Sequence, residues 1–244
     1  MLSTTRATIS ASAAALIAVG GFLGATALAA AVFALVVVLA LGWPVLLRAS
    51  RRRTASVILI GGGALALVAV LAGRVEPHLR HMAVAVALMV IAALVSEVFW
   101  PSSRGRAVTS VAATCGGAIV VASGAAWVAA ARTNGAEDLV VTGGIALAVA
   151  AVTGVMTRSA QANSLIALGM GTLSGAATGA LFPEIPWYAG AGVGLLCAII
   201  VTLLQELNRR EPRQPGWLPG MASALAPVLA AGALVYIGGR LLVG

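Results

Sequence analysis

The chain predicts an all-α fold, a polytopic transmembrane helix bundle of about nine spans forming one domain over residues 1–244. Three observations carry this expectation. Hydrophobic residues make up 61% of the sequence and charged residues only 9%, with a mean hydropathy of +1.05, far from the usage of soluble domains. The charges fall in short clusters separated by apolar runs of membrane-spanning length, about 20 residues for a hydrocarbon core of about 30 Å. All 15 basic residues are arginine. They punctuate the apolar runs instead of gathering into a patch, so the net charge of +8 marks loops and excludes a nucleic-acid surface.

The first apolar run, Ala7 to Leu47, holds 41 uncharged residues between Arg6 and Arg48. As one helix it would reach about 60 Å, twice the hydrocarbon core, so two spans near 7–22 and 25–47 are expected, broken at Gly20, Gly21 and Gly24. A cleaved signal peptide is the competing reading, because Arg6 and the "ALA" at Ala27 to Ala29 imitate its parts. The apolar run continues past that point, which argues against cleavage. Further spans follow near 55–72, 82–100, 107–131, 139–156, 164–182, 187–204 and 220–242. The longest loop, Gln205 to Pro219, leaves no room for a soluble domain, so function must lie between helices or in short loops.

Arginine counts in alternate loops set the expected orientation, because positive loops stay in the cytoplasm. One side receives Arg6, Arg48, Arg51, Arg52, Arg53, Arg104, Arg106, Arg158, Arg209, Arg210 and Arg213; the other receives Arg74, Arg80, Arg132 and Arg240. Eleven against four places the amino terminus inside and the carboxyl terminus outside. Interfacial aromatics are expected at Trp43, Trp100 and Trp217 on the inner side, and at Trp127, Trp187, Tyr188 and Tyr236 on the outer side.

Between Gly169 and Gly194 seven glycines occur in 26 residues. A dinucleotide fingerprint needs a strand before GxGxxG, and a P-loop needs a lysine; neither is present. Gly171, Gly175 and Gly179 recur at intervals of four, as do Gly190 and Gly194, which puts each set on one helix face. Such GxxxG faces let helices approach closely in lipid. The expectation is therefore helix packing, with "LFPEIPWY" as an outer hairpin that Pro183 and Pro186 keep from continuing as helix.

The polar inventory narrows the chemistry. Asp138 is the lone aspartate, and the glutamates are Glu76, Glu97, Glu137, Glu184, Glu206 and Glu211. Clustered carboxylates could bring Mg²⁺ to a phosphate, but the one close pair, Glu137 and Asp138, belongs to an outer loop, and the acidic signature of phosphatidate cytidylyltransferases, whose nine-span count this chain loosely shares, is absent, so that reaction is not inferred. Ser123 and Ser174 lie in spans, but His78 and His81 belong to an outer loop, which provides no serine–histidine pair and no metal set. Cys115 and Cys197 read as small buried residues. No catalytic residue, metal or cofactor is expected. The residues best placed for a gate or path are Glu97, about one turn inside its span, Ser174, Glu206 and Pro227, the last as a kink within a span. The run "RASRRR", with Arg48, Arg51, Arg52 and Arg53, sets topology and is a candidate contact for anionic lipid.

The arginine-only, alanine-rich texture and the order "LGWPVLL", "RRRTASVILIGGG", "EPHLRHMAVAVALMVIAALVSEVF" and "GMASALAPVLAAGALVYIGGRLLVG" resemble uncharacterised actinobacterial multi-pass membrane proteins, some of them labelled permeases. The resemblance implies a bacterial plasma-membrane location and no functional residue. The leading functional expectation is a non-catalytic membrane subunit or scaffold in cell-envelope function. The alternative is a permease or flippase for an uncharged or lipid-like substrate. Expected partners are membrane lipids, other membrane proteins or a second copy of the chain.

Overall fold

A computed structural model describes residues 3–73, 77–99, 106–133, 137–183, 185–210 and 216–242. Among them are nine helices and no strand: α1 (Ser3–Leu23), α2 (Ala25–Leu46), α3 (Arg52–Ala72), α4 (Met82–Phe99), α5 (Ala107–Ala130), α6 (Glu137–Thr153), α7 (Ala160–Gly179), α8 (Trp187–Arg210) and α9 (Trp217–Leu242). Seven are long and apolar enough to cross a membrane; α6 and α7 are not among them. Helix α6, at 17 residues, reaches only about 25 Å. Helix α7 is diluted by Gln161, Asn163, Ser164, Thr172, Ser174 and Thr178. Helix α6 is screened by α1, α7 and α8, whereas α7 packs on α6 and α8 along its glycine face and leaves Leu165, Met170 and Leu173 exposed.

The break between α1 and α2 falls at Gly24, whose φ of 107° is open to glycine at little cost. Its carbonyl accepts the first bond of α2 from the Leu28 amide at 3.0 Å. At the other end of α2 the chain closes a Schellman motif, with Arg48 at φ 55° and the Ala49 amide donating to the Pro44 carbonyl at 2.8 Å. Several helix ends extend past the predicted limits for local reasons. Helix α7 begins at Ala160 because the Ser159 side chain accepts from the Ala162 amide as its N-cap. Helix α8 runs to Arg210, not 204, because Glu206 pairs with Arg209 and Arg210 at i+3 and i+4. Those arginines also suit the negative end of a helix dipole.

Helix α9 is the axis of the bundle. It packs on α5, α2, α8 and α1, while α4 lies at the edge against α5 and α3. Small residues set the closest approach. Gly171, Gly175 and Gly179 of α7 are buried against Gly190 and Gly194 of α8. A methyl on Gly175 would stand 2.8 Å from the Gly194 Cα, and one on Gly179 would stand 3.0 Å from the Gly190 Cα. Backbones this close allow dispersion and Cα–H contacts to hold helices that lipid gives no hydrophobic reason to pair.

The interfacial aromatics divide in two. Trp187, Tyr188 and Trp217 are exposed, the two tryptophans by 66% and 62%, as a membrane-interface belt requires. Trp127 and Tyr236 depart from that expectation and are core residues. Trp127 is fully buried, with its indole N–H donating to the Val228 carbonyl of α9 at 2.9 Å. A backbone carbonyl has a second lone pair beside the one its own helix uses, so this bond ties α5 to α9 without taking a partner from the α9 ladder. Trp43 likewise donates to the Ala113 carbonyl of α5 at 2.8 Å. Trp100 lies outside the described residues.

Candidate functional site: a polar vestibule at one end of the bundle

The start of α1, the α6–α7 loop, the end of α8 and the first half of α9 enclose a cavity of about 500 Å³. Its charged lining residues are Arg6, Arg158 and Arg209, and Ser10, Asn163, Gln205, Asn208 and Ser223 supply amides and hydroxyls. No carboxylate is among the described lining residues. The chain has three asparagines, and two of them are here.

Each wall has a local cause. Ser10 donates to the Ala224 carbonyl at 2.7 Å, tying α1 to α9 beside the cavity. Gly154, just past the end of α6, gives Gln205 room: a side chain there would collide with the Gln205 amide. Gln205 Nε2 in turn donates to the Ala151 carbonyl at 3.3 Å, one of the terminal carbonyls of α6 that lack an intrahelical partner. Asn163 clamps the loop that carries Arg158. Its Oδ1 accepts from the Thr157 amide at 2.7 Å, and its Nδ2 donates to the Thr157 carbonyl at 2.9 Å.

The cavity ends at Pro227, ten residues into α9, about 15 Å along the axis from Trp217. Pro227 has no N–H to give to the Ser223 carbonyl, and both residues line the vestibule. Beyond it the same helices carry Ala14 and Ile17 of α1, Leu147 and Ala150 of α6, Ala198 and Val201 of α8, and Val228 and Leu229 of α9, all without exposed surface. The cavity is thus polar at its mouth and blocked by close-packed apolar turns within.

A turn further on, α9 is gripped by α5. The Ser123 hydroxyl donates to the Ala230 carbonyl at 2.7 Å and accepts from the Ala233 amide at 3.0 Å. A side chain standing inside a helix's own hydrogen-bond ladder is a recognised cause of bending. Pro227 and Ser123 therefore act within six residues of each other on α9, at the inner end of the vestibule.

Of the four residues expected at a gate or path, only Pro227 lines this cavity. Glu206 sits outside it, bonded to Arg209 and Arg210 at 3.1 and 2.9 Å. Ser174 turns back to its own helix, donating to the Gly171 carbonyl at 3.1 Å. Glu97 lines a separate narrow crevice between α3, α4 and α5 with Arg51, Ser96, Ser110 and Thr114. The expected path through Glu97, Ser174 and the glycine hairpin is not assembled, because α7 meets α8 without space between them, while Glu97 is on the far side of α5. Arg52 and Arg53 are exposed in the first turn of α3, and Arg48 is exposed in the preceding turn.

Sequence reasoning missed Ser10, Asn163, Gln205, Asn208 and Ser223. Their one signal was position: each lies within about two turns of a helix end on the arginine-rich side, where a polar group is easily taken for a loop residue. Elsewhere, His81 accepts from Arg80 Nε at 2.9 Å, and Cys115 and Cys197 are free thiols. Among the described residues no three histidine, cysteine, aspartate or glutamate side chains gather as a metal site. Comparison with protein-family models, with curated proteins and with solved structures finds no match to this chain.

Proposed function

We propose that this membrane protein passes a polar or headgroup-bearing substrate across a bacterial plasma membrane, as a permease or flippase, with the vestibule as its cytoplasm-facing entrance. The supporting observation is a polar cavity that is open at the arginine-rich end and blocked within by apolar turns. Alternating access works from such a one-sided cavity when one part of the bundle rocks or gates against the rest, and α9 has two causes of bending at that level, Pro227 and the Ser123 insertion. A scaffold has no evident use for an open polar cavity at one end of its bundle.

A buried group on the other side of the block supports the same reading. Thr142 lies near the start of α6, at the end away from the vestibule, and is fully buried with no hydrogen-bond partner for its hydroxyl. Burying an unpaired hydroxyl costs about 1–3 kcal/mol, a cost relieved in a state where this half of the bundle opens to water. The membrane-subunit reading keeps one observation in its favour: α4 is the least buried of the candidate spans and presents Val84, Leu88, Ile91, Val95 and Val98 outward, a face suited to a partner helix as well as to lipid.

The two readings separate by thiol accessibility. With Cys115→Ser and Cys197→Ala as background, Ser223→Cys and Thr142→Cys are each exposed to an impermeant maleimide from one face at a time. Passage predicts that Ser223→Cys reacts from the arginine-rich face and that Thr142→Cys reacts, more slowly, from the opposite face. If Thr142→Cys stays unlabelled from both faces while Ser223→Cys reacts fully, the bundle is static and the subunit reading replaces the passage reading.

A further inference from the structure

Side-chain hydrogen bonds and close backbone contacts sort the helices into two groups. On one side, side chains join α1 to α9 through Ser10, α2 to α5 through Trp43, α3 to α2 through Ser56, α5 to α9 through Ser123 and Trp127, and the turn after α5 to α3 through Arg132. Helix α4 packs on α3 and α5 of this group. On the other side α7 lies backbone against backbone on α8, and Gln205 ties α8 to the end of α6. The second group is one continuous stretch, α6 to α8, and the chain passes between the groups twice, after α5 and after α8.

Where the groups meet, the contacts are of another kind. Helix α1 meets α6 with Gly21 against Val140, where a methyl on the glycine would stand 3.3 Å from the valine Cβ, and with Ala18 against Gly144. Helix α8 meets α9 with Val193 and Leu196 against Gly238. These side chains cannot hydrogen-bond, so sliding one helix past the other at these points forfeits dispersion contacts alone. Movement inside either group would break hydrogen bonds or prise apart close-packed backbones in lipid. Arg6, Asp138 and Arg240, near the two ends of the boundary, have partners of their own, at depths where water can replace a partner. The vestibule opens on this boundary: α1 and α9 form one wall, and the α6–α7 loop, α7 and α8 form the other.

We infer that α6, α7 and α8 move as one body against α1 and α9, parting the boundary at the end away from the vestibule as the vestibule narrows. Rocking or shear of one packed group against another is an established route of conformational change. The movement rests on the passage reading for its purpose and supplies that reading with a joint, yet it is measurable without a substrate.

Cysteine reactivity measures it on the full chain in lipid nanodiscs, in the background lacking Cys115 and Cys197, with N-ethylmaleimide as reagent and intact mass as readout. Val140→Cys and Val193→Cys place a thiol on the boundary. The comparators are Val36→Cys, which packs on Gly63 within the first group, and Val70→Cys, at the end of α3 away from the vestibule. All four valines are at most 1% exposed. Both boundary thiols are expected to react faster than both comparators by about tenfold or more, because parting of a joint exposes them while each group stays intact. A disulfide between Gly21→Cys and Val140→Cys, whose Cβ spacing is near that of a native bridge, is expected to bring Val193→Cys down to the comparator rate. One between Gly20→Cys and Ala31→Cys, 3.5 Å apart inside the first group, is expected to leave it unchanged. A boundary thiol as slow as the comparators, or equal slowing by the two disulfides, overturns the movement. Reactive boundary thiols with an inert Thr142→Cys would leave the movement standing and remove the passage reading alone.

Discussion

Pro44 sits inside α2 without breaking it, and Ser56 is the reason. Proline at 44 removes the amide that would have bonded the Ala40 carbonyl. The Ser56 hydroxyl of α3 donates to that carbonyl at 2.7 Å, while also lying 3.0 Å from its own Arg52 carbonyl. Hydroxyls of neighbouring helices are a usual remedy for proline in lipid, where water cannot serve. Ser56→Ala is therefore expected to lower the unfolding free energy by about 1 kcal/mol, the scale of hydrogen bonds between membrane helices. In a Pro44→Ala background, which restores the amide, the same change should cost markedly less. A double-mutant cycle in detergent unfolding measures the difference; equal costs in both backgrounds would show that Ser56 does not serve the proline. The sequence displays Pro44 openly but not its remedy, because the partner reaches across a turn and from another helix face. The same holds for Asn163, whose clamp on Thr157 depends on where the α6–α7 loop folds back.

At the scale of helices, what the sequence makes legible is whatever repeats locally. Spacing of four in Gly171, Gly175 and Gly179 places them on one stripe before any partner is known, and the partner turns out to be the matching pair Gly190 and Gly194. The contrast with Gly169 makes a sharp test. Gly169 is exposed with no atom within 4 Å of a would-be methyl, so Gly169→Ala should be neutral or stabilise by about 0.5–1 kcal/mol through backbone entropy. Gly175→Ala meets backbone and is expected to destabilise by about 1–3 kcal/mol, as overpacking does. Thermal melts of the two variants in one detergent read out the sign directly, and a stabilised Gly175→Ala would remove the close-packed α7–α8 interface from the account. Trp127 was less legible for a matching reason. Its place near the end of α5 suggests the membrane interface, whereas its burial depends on α9, about a hundred residues later, offering the Val228 carbonyl. Helix ends differ from the sequence expectation where charge resembles a stop: Glu206, Arg209 and Arg210 prolong α8 through their own pairing.

For the molecule as a whole, composition predicted a multi-helix membrane bundle and the arginine counts predicted an asymmetric one. In the structure the ends carrying Arg6, Arg158 and Arg209 meet around one cavity, and Arg51 lines a crevice with the end of α4 and the start of α5. The opposite end holds Arg132, whose guanidinium donates to the Val70 and Leu71 carbonyls and so caps α3. The charge run at the start of α3 points beyond stability. Arg52 and Arg53 stand in its first turn, where a positive charge opposes the helix dipole by about 0.3–1 kcal/mol each; a role in topology or at anionic lipid gives that cost a counterpart. The vestibule itself was not legible, since its residues come from four separate stretches that only the antiparallel packing unites. The proposed entrance requires this polar cavity to face the cytoplasm from inside a membrane-embedded bundle. Its most direct measurement is the labelling of Asn208→Cys, in the background lacking Cys115 and Cys197, by an impermeant maleimide on intact spheroplasts and on inverted membrane vesicles. A cytoplasm-facing cavity gives rapid labelling in inverted vesicles and none on spheroplasts; labelling on spheroplasts with protection in inverted vesicles would place its mouth outside the cell and remove the proposed entrance.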